Sequence, residues 1–255
     1  MEREVITSRA NPLLTRVRRL NSRRAFRRAE GAFAAEGRKL LAEALCWGGE
    51  LEAVICAPGT FVPELPDRVR VVEVDDGLLA SIADTENPQG IVFICKGKNL
   101  TMPDRLVGNR YLLLDGVQDP GNVGTIWRTA DAFGADGLLL CNGCADPWNP
   151  KTVRATMGAV FRLPVYECAL ETAAERLTAA GLPFYAAALR DDTVDVREIP
   201  LGRCAVAIGS EGRGVSQQAL ALCEKTIKIP MSPRCESLNA AVAASVALWE
   251  MARND

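Results

Sequence analysis

The 255-residue chain contains no histidine and no long apolar run, and each absence removes a class of function. Without histidine, Ser-His and Cys-His catalysis are excluded, and the most frequent transition-metal ligand is missing as well. Any chemistry must therefore use Asn, Arg, Glu, Ser, Lys or backbone groups. No stretch reaches the roughly 18 uninterrupted apolar residues of a membrane span, and the first residues lack the apolar segment of a signal peptide. We therefore expect a cytoplasmic protein without a membrane partner.

The nine cysteines are odd in number and scattered between Cys46 and Cys235, mostly within apolar runs. This pattern indicates reduced, buried thiols rather than a disulfide framework. Cys141 and Cys144 form a C-x-x-C pair, but no second pair and no histidine complete a zinc site. A thioredoxin-like pair would open a helix, whereas Pro147 follows here. We predict two ordinary thiols and no metal site, with a thiol enzyme that uses this pair as an alternative.

Positive charge is concentrated at the start of the chain although the net charge is −2. Residues 1–40 hold eleven Lys or Arg against four Asp or Glu, so the remainder is acidic. A basic face suggests a polyanion partner, and a solvated basic helix explains it equally well. Contacts between such a cluster and backbone phosphates would provide affinity for a nucleic acid without selecting its base sequence. The basic cluster comprises Arg16, Arg18, Arg19, Arg23, Arg24, Arg27 and Arg28.

Length and apolar pattern predict two α/β domains. A hydrophobic content of 48% allows a sizeable core, and 255 residues suit one large or two small domains. Short apolar strands and three helices predict a compact module over 1–96. Residues 97–107 are polar and rich in helix breakers, which predicts a linker. Strand–loop–helix units then recur through 108–255, and ligands bind at the carboxyl ends of such strands.

Three strand–loop–helix segments carry the candidate site. The first has a strand at Tyr111–Leu114, a loop over 115–125 and a helix at Ile126–Phe133. On residue type alone, Asn122 is a helix cap and Arg128 a surface cation. The second follows the strand Cys204–Ile208, where three closely spaced glycines permit sharp turns. Their spacing matches neither the dinucleotide fingerprint nor a phosphate loop.

The third segment follows a strand at Thr226–Ile229, which Pro230 stops. Ser237 or Asn239 can cap the final helix, which runs to Met251 and is apolar nearly all round. Close packing of a second copy against this helix explains that composition, and deep burial within one chain is the alternative. Upstream, a further helix runs from Pro150 to Gly158. Its Lys151 and Arg154 share one face. The sequence allows either contact with an RNA phosphate or an intramolecular ion pair for these side chains.

Four short strings in a fixed order carry a resemblance to a known family. They are Asn-x-Gly-x-x-x-Arg-Thr-Ala at 122–130, Gly-Ser-Glu-Gly-x-Gly-Val-Ser at 209–216, Ile-Pro-Met at 229–231 and Glu-Ser-Leu-Asn at 236–239. They resemble the motifs of the SpoU (TrmH-like) family of RNA 2′-O-ribose methyltransferases in the SPOUT superfamily. Residues 1–96 are similar to its RNA substrate-binding domain, which has a ribosomal-protein-like fold. Two local patterns carry this less specific match, Phe-x-x-Glu-Gly-x-x-x-Leu at 33–41 and Asn-Pro-Gln-Gly at 87–90. Pro233 departs from the family, which commonly has glycine there.

The resemblance implies an α/β architecture in which a trefoil-knotted SPOUT methyltransferase domain, 108–255, follows the small RNA-binding domain. Loops over 208–212, 228–232 and 237–241 would enclose S-adenosyl-L-methionine. The implied cofactor-binding residues are Gly209, Glu211, Gly212, Ile229, Met231 and Leu238. The implied catalytic residues are Asn122, Arg128, Glu211, Ser237 and Asn239.

The implied reaction is methyl transfer to a ribose 2′-hydroxyl of structured RNA by a cytoplasmic homodimer. We expect Arg128 to act as an electrostatic clamp on an RNA phosphate rather than as a base, since arginine stays protonated. Asn122 would orient Arg128 or the hydroxyl, Glu211 would hold Arg128 or the substrate, and Ser237 and Asn239 would order the knot. The appended domain favours ribosomal RNA over transfer RNA. A transfer-RNA ribose methyltransferase and a non-catalytic RNA-binding module are the alternatives.

Overall fold

The computed structural model describes residues 4–190, 193–235 and 237–253. Asp191, the start of a predicted polar excursion, and Glu236, the first residue of the last motif string, lie outside these ranges. The chain forms two compact units, Met1–Lys98 with Asp146–Phe161 and Asn99–Ala145 with Arg162–Asp255. The chain therefore passes from one unit to the other three times. The domain boundaries at 1–96, 97–107 and 108–255 stay a prediction.

Short strands and helices alternate along the whole described chain. In order they are β1 Glu4–Val5, α1 Pro12–Ser22, α2 Arg24–Glu30, β2 Ala32–Glu36, α3 Arg38–Cys46, β3 Leu51–Cys56, β4 Arg70–Glu73, α4 Asp76–Ala80, β5 Ile91–Lys96, β6 Arg110–Asp115, α5 Pro120–Ala132, β7 Gly137–Cys141, α6 Pro150–Ala155, α7 Ala159–Arg162, β8 Val165–Glu167, α8 Leu170–Ala179, β9 Phe184–Ala187, β10 Val194–Asp195, β11 Cys204–Gly209, α9 Gln217–Leu222, β12 Lys225–Lys228 and α10 Ala240–Ala252. A single 3-10 turn, Val196–Glu198, follows β10.

The first unit is built on a mixed five-stranded sheet in the order β1-β4-β3-β5-β2. Helix α1 begins at Pro12, because the Asn11 side chain accepts a hydrogen bond from the Leu13 amide and Pro12 favours the first helical position. Its apolar face is buried against the sheet. The chain becomes extended at Arg23, which separates α1 from α2. The predicted basic stretch therefore lies on two short helices.

Much of the predicted basic cluster forms ion pairs within the first unit. Arg27 is only 3% exposed, and its guanidinium lies 2.7 Å from a carboxylate oxygen of Asp146. Arg16 pairs with Glu30 and Glu52 at 2.7 Å. The prediction of a phosphate contact is wrong for Arg27, because a buried cation satisfied by a buried carboxylate cannot reach RNA.

The segment 146–161 packs within the first unit although it follows β7 in sequence. The Trp148 ring stacks on Phe33 with centroids 5.0 Å apart. The helix predicted to reach Gly158 ends at Ala155, because Met157 and Gly158 adopt positive φ angles of 49° and 100°.

On that segment, Arg154 forms an ion pair with Asp84, which confirms the ion-pair interpretation for this arginine. The neighbouring Glu36 carboxylate holds the loop over 84–89. It accepts hydrogen bonds from the amides of Asp84, Thr85 and Gln89 at 3.1–3.3 Å. The two local patterns of the predicted RNA-binding domain are thus joined through one side chain.

The second unit is built on a parallel seven-stranded sheet in the order β10-β12-β9-β11-β6-β7-β8. Its four inner strands β6, β7, β9 and β11 are nearly continuous apolar runs, as expected for strands covered on both faces. Strand β11 lies between β6 and β9 and pairs with β6 over its full length, from Cys204 opposite Arg110 to Gly209 opposite Asp115. The carboxyl ends of β6, β9, β11 and β12 therefore meet at one edge of the sheet. The trefoil knot stays a prediction.

Helix α5 begins six residues before the predicted start. Asp119 is the cap, since its carboxylate accepts a hydrogen bond from the Asn122 amide at 2.9 Å, and Pro120 takes the first helical position. Asn122 therefore lies in the first turn of α5 and is not its cap. This places the Asn122 side chain at the carboxyl edge of the sheet rather than in a loop.

The final helix, α10, has one buried and one exposed apolar face. It packs against α5 and β11, while Val242 is 48% exposed and Trp249 is 56% exposed. Deep burial within one chain therefore does not explain its composition. Among the described residues, no helix has the length and apolar character needed to span a bilayer.

Candidate active site

An open cavity of about 670 Å³ lies in the second unit, at the carboxyl ends of β9, β11 and β12. Its size is within the range typical of small-molecule sites. The walls are the loop after β11, the loop after β12 and the start of α10. All six predicted cofactor-binding residues line it, together with Ser237: Gly209, Glu211, Gly212, Ile229, Met231 and Leu238. The predicted catalytic residues Asn122, Arg128 and Asn239 are not in its lining.

Gly209 permits the tight turn that forms one wall of the cavity. Ser210 and Gly214 pair across this turn through two backbone hydrogen bonds of 2.9 and 3.1 Å. A Cβ atom on Gly209 would lie 2.0 Å from the carbonyl carbon of Gly214. Because a backbone atom cannot move aside cheaply, any side chain at Gly209 would open the turn. By contrast, a Cβ on Gly212 would meet nothing within 4 Å.

The buried carboxylate of Asp115 fixes the base of this wall. One oxygen accepts a hydrogen bond from the Ser216 amide and the other from the Asn142 side chain, each at 2.6 Å. Asp115 is 3% exposed, so these charge-assisted bonds are protected from water. They join the ends of β6 and β7 to the loop after β11. Asp115 directly follows the first predicted strand of the candidate site, and its residue type alone indicates no role in that site.

Three predicted catalytic side chains form a hydrogen-bonded chain. The Asn122 side-chain amide donates to Glu211 at 2.5 Å, and the Asn239 amide donates to the Asn122 oxygen at 3.2 Å. Asn239 also caps α10 by accepting from the amides of Ala241 and Val242. These hydrogen bonds thus link one side chain from each of the three motifs. The hydrogen bond from Asn122 orients the Glu211 carboxylate, which lines the cavity.

Arg128 lies apart from this hydrogen-bonded chain. It is exposed on α5 and forms no ion pair with any residue that the structure describes. Glu211 contacts Asn122 rather than Arg128, so the predicted Glu211–Arg128 contact does not occur within this chain. Leu189, Arg190 and Arg213 also line the cavity. The motif strings do not mark them, because Arg213 occupies the unspecified position of the glycine string, while Leu189 and Arg190 follow β9 and lie outside every string.

The C-x-x-C pair does not have the properties of a reactive dithiol. Cys141 and Cys144 are both buried, and burial raises the pKa of the Cys144 thiol to about 11. A hydrogen bond to Cys168 and burial raise the pKa of Cys141. Such thiols stay protonated at neutral pH, so neither is an activated thiolate that could attack a substrate. No cluster of metal ligands occurs within residues 4–190, 193–235 and 237–253.

The cavity has the chemistry that a nucleoside-like cofactor with an amino-acid group requires. Apolar side chains of Ile208, Ile229 and Leu238 can pack against a purine ring. Backbone amides and carbonyls in the loops after β11 and β12 can bond its polar edges. The bare backbone at Gly209 and Gly212 allows close approach.

Comparison with known proteins agrees with this geometry. The SpoU rRNA Methylase family profile matches residues 109–249, and the MRM3-like substrate binding domain matches residues 11–92. The chain is 34% identical over 223 residues to the Bacillus subtilis 23S rRNA (guanosine(2553)-2′-O)-methyltransferase RlmP, covering 86% of this chain and 88% of that protein. It is 32% identical to the Danio rerio mitochondrial rRNA methyltransferase 3A, covering 93% of this chain and 67% of that protein.

A solved structure shares the whole fold. The AdoMet-bound rRNA methyltransferase from Sinorhizobium meliloti superposes with a TM-score of 0.86 and 32% identity, covering 98% of this chain and 97% of that chain. The parallel sheet, the cavity at its carboxyl edge and the motif residues around it agree with these matches. The chain therefore belongs to the SpoU family of rRNA methylases.

Proposed function

We propose that this protein transfers a methyl group from S-adenosyl-L-methionine to a ribose 2′-hydroxyl of ribosomal RNA. The observation that carries the proposal is the cavity at the carboxyl edge of the sheet, lined by residues of the second and third motifs, together with the hydrogen bonds that link Asn122 of the first motif to Glu211 in that lining and to Asn239. Relatives named as rRNA methyltransferases support the substrate class. The AdoMet-bound structure from Sinorhizobium meliloti supports the cofactor.

The proposed cofactor site uses backbone groups more than side chains. Gly209, Ile229 and Leu238 would hold the adenine and the amino-acid group through their amides and carbonyls, while Met231 and Gly212 complete the walls. When bound, S-adenosyl-L-methionine supplies a methyl group that its positively charged sulfur makes electrophilic. The protein must then align the hydroxyl and assist its loss of a proton.

Arg128 is the proposed electrostatic clamp. An exposed guanidinium without an ion-pair partner among the described residues is available for an RNA phosphate. Its positive charge would favour ionisation of the nearby 2′-hydroxyl, with the proton passing to phosphate or water. Asn122 would orient Glu211 towards the substrate, and Ser237 would order the loop before α10.

Homodimerisation through α10 is part of the proposal. The exposed Val242 and Trp249 lie seven residues apart, so they lie on one face of the helix. The Trp249 ring also packs edge-on against Phe133, the residue that follows α5, with centroids 5.7 Å apart. A second copy would cover this apolar face and bring its own Arg128, also on α5, close to the interface.

The test is transfer of a labelled methyl group from S-adenosyl-L-methionine to unmodified bacterial RNA, followed by mapping of 2′-O-methyl positions. We expect one labelled nucleotide in ribosomal RNA. Arg128→Ala should lower turnover at saturating RNA at least tenfold, and Arg128→Lys, which keeps the charge, should retain part of it. Near-wild-type turnover of Arg128→Ala would refute the clamp.

Other outcomes separate the alternatives. Label in transfer RNA alone would identify a transfer-RNA ribose methyltransferase. If no RNA is labelled while S-adenosyl-L-methionine still raises the melting temperature, the non-catalytic RNA-binding module becomes the better description. The cytoplasmic location stays a prediction.

A further inference from the structure

Cys141 lies beside a thiol that its C-x-x-C spacing does not indicate. Strands β7 and β8 pair in parallel with Leu140 opposite Glu167, so Cys141 and Cys168 are the next residues along the two strands. Their sulfur atoms are 3.8 Å apart. The Cys144 sulfur instead lies 3.2 Å from the carbonyl oxygens of Leu114 and Cys141, where its thiol can donate. The thiol in contact with Cys141 is therefore 27 residues away in sequence.

The two sulfur atoms differ in environment. Cys141 is 1% exposed, whereas Cys168 is half-buried and precedes Ala169, the cap residue of α8. The cap position of α8, Ala169, provides no side-chain hydrogen bond, so the positive end of the helix faces the preceding residues. The Cys141 hydrogen bond and the Arg176 guanidinium lower the pKa of Cys168. Cys168 is thus the more accessible and more readily ionised thiol of the pair.

We propose that Cys141 and Cys168 are a modification site at which a hydroperoxide forms a reversible disulfide. The Cys168 thiolate attacks one peroxide oxygen, the O–O bond breaks, and a sulfenic acid remains on Cys168 while the departing hydroxide takes up the proton that Cys168 released on ionising. The Cys141 sulfur then attacks the Cys168 sulfur, an S–S bond forms, and the S–O bond breaks. The departing hydroxide takes the Cys141 proton. Two thiols are oxidised by two electrons in total, and hydrogen peroxide is reduced to two water molecules.

The modification would act on the cavity through a short path. A disulfide would join the end of β7 covalently to the residue that follows β8. Asn142, the next residue after Cys141, donates to Asp115, which in turn accepts from the Ser216 amide below the cavity wall. Oxidation would strain both bonds and weaken cofactor binding. This consequence rests on the proposed function, whereas formation of the bond does not.

Peptide mapping tests the bond directly. The full-length protein is treated with hydrogen peroxide, blocked with an alkylating agent, digested with trypsin and analysed by mass spectrometry without reduction. Cys141 and Cys144 share the tryptic peptide 129–151, whereas Cys168 lies in 163–176. We expect these two peptides joined, and separated again by dithiothreitol. Cys144→Ser should leave the joined species in place, and Cys168→Ser should abolish it.

Two results would overturn the proposal. One is a bond inside peptide 129–151, and the other is peroxide-treated protein in which the two peptides stay separate. For the consequence, the rise in melting temperature with S-adenosyl-L-methionine should shrink at least twofold on oxidation of the wild type and stay unchanged in Cys168→Ser. If untreated protein shows no such rise, the cofactor proposal fails while the mapping result still decides the disulfide.

Discussion

Gly209 shows how one missing side chain determines the shape of the proposed cofactor site. The turn between Ser210 and Gly214 closes only because the Gly209 backbone can lie against the Gly214 carbonyl group. The glycine pattern identified this position from sequence. The reason, a backbone contact five residues away, became visible only in the structure.

Gly209→Ala is expected to lower the free energy of unfolding by about 1–3 kcal/mol, as overpacking against backbone does. It should also abolish the rise in melting temperature caused by S-adenosyl-L-methionine. Gly212→Ala is the matched control for stability, because its added methyl group meets open space. Thermal unfolding with and without the cofactor measures both effects. A Gly209→Ala protein as stable as the control would contradict the steric argument.

The contacts of Asp115 could not be predicted from the sequence. Its two partners, Asn142 and Ser216, are 27 and 101 residues away in the chain. No local pattern links an aspartate at the end of a strand to an amide so distant. The contact exists because β6 pairs with both β7 and β11, and strand order cannot be read from spacing.

Helix starts were largely predictable because capping is a local interaction. Asn11, Asn149, Ser216 and Asn239 cap their helices, and each is a residue type that favours this position. The start of α5 was missed, although the Pro120 that follows its cap is a typical signal of the first helical position. The family motif starts at Asn122, which lies three residues after the cap residue Asp119.

Asn239 combines a structural and a functional role at the start of α10, and two substitutions separate them. Asn239→Asp keeps the capping oxygen but loses the amide that donates to Asn122. Asn239→Ala loses both. We expect Asn239→Ala to destabilise the protein by about 1 kcal/mol and Asn239→Asp to keep wild-type stability. Both should lower methyl transfer severalfold, measured beside chemical denaturation. Full activity in Asn239→Asp would show that the bond to Asn122 is dispensable.

For the whole molecule, the exposed face of α10 predicts the oligomeric state. Trp249→Lys should convert a dimer into a species with the 27.5 kDa mass of one chain, because burying an unpaired ammonium in an interface is costly. Phe61→Lys is the matched control, since Phe61 is 71% exposed in the other unit. Sedimentation velocity distinguishes the two masses. A Trp249→Lys protein that sediments like the wild type would place the interface elsewhere.

The division into units was less predictable than the elements themselves. The apolar strands and most of their order along the chain followed from periodicity, because each strand is a local pattern. The placement of 146–161 in the first unit did not, since it depends on contacts such as Arg27 with Asp146, 119 residues apart.

That placement limits how the chain can be divided or exchanged. A fragment that stops after Lys98 would keep the backbone carbonyl contacts of Arg27 but lose the Asp146 carboxylate that neutralises it. Removing one partner of a buried ion pair typically costs 3–5 kcal/mol, a large part of the stability of a small domain. Phe33 would lose its stacked indole as well. A functional chimera between relatives must therefore take residues 146–161 from the same parent as the amino-terminal region, and one crossover point in the linker is not enough.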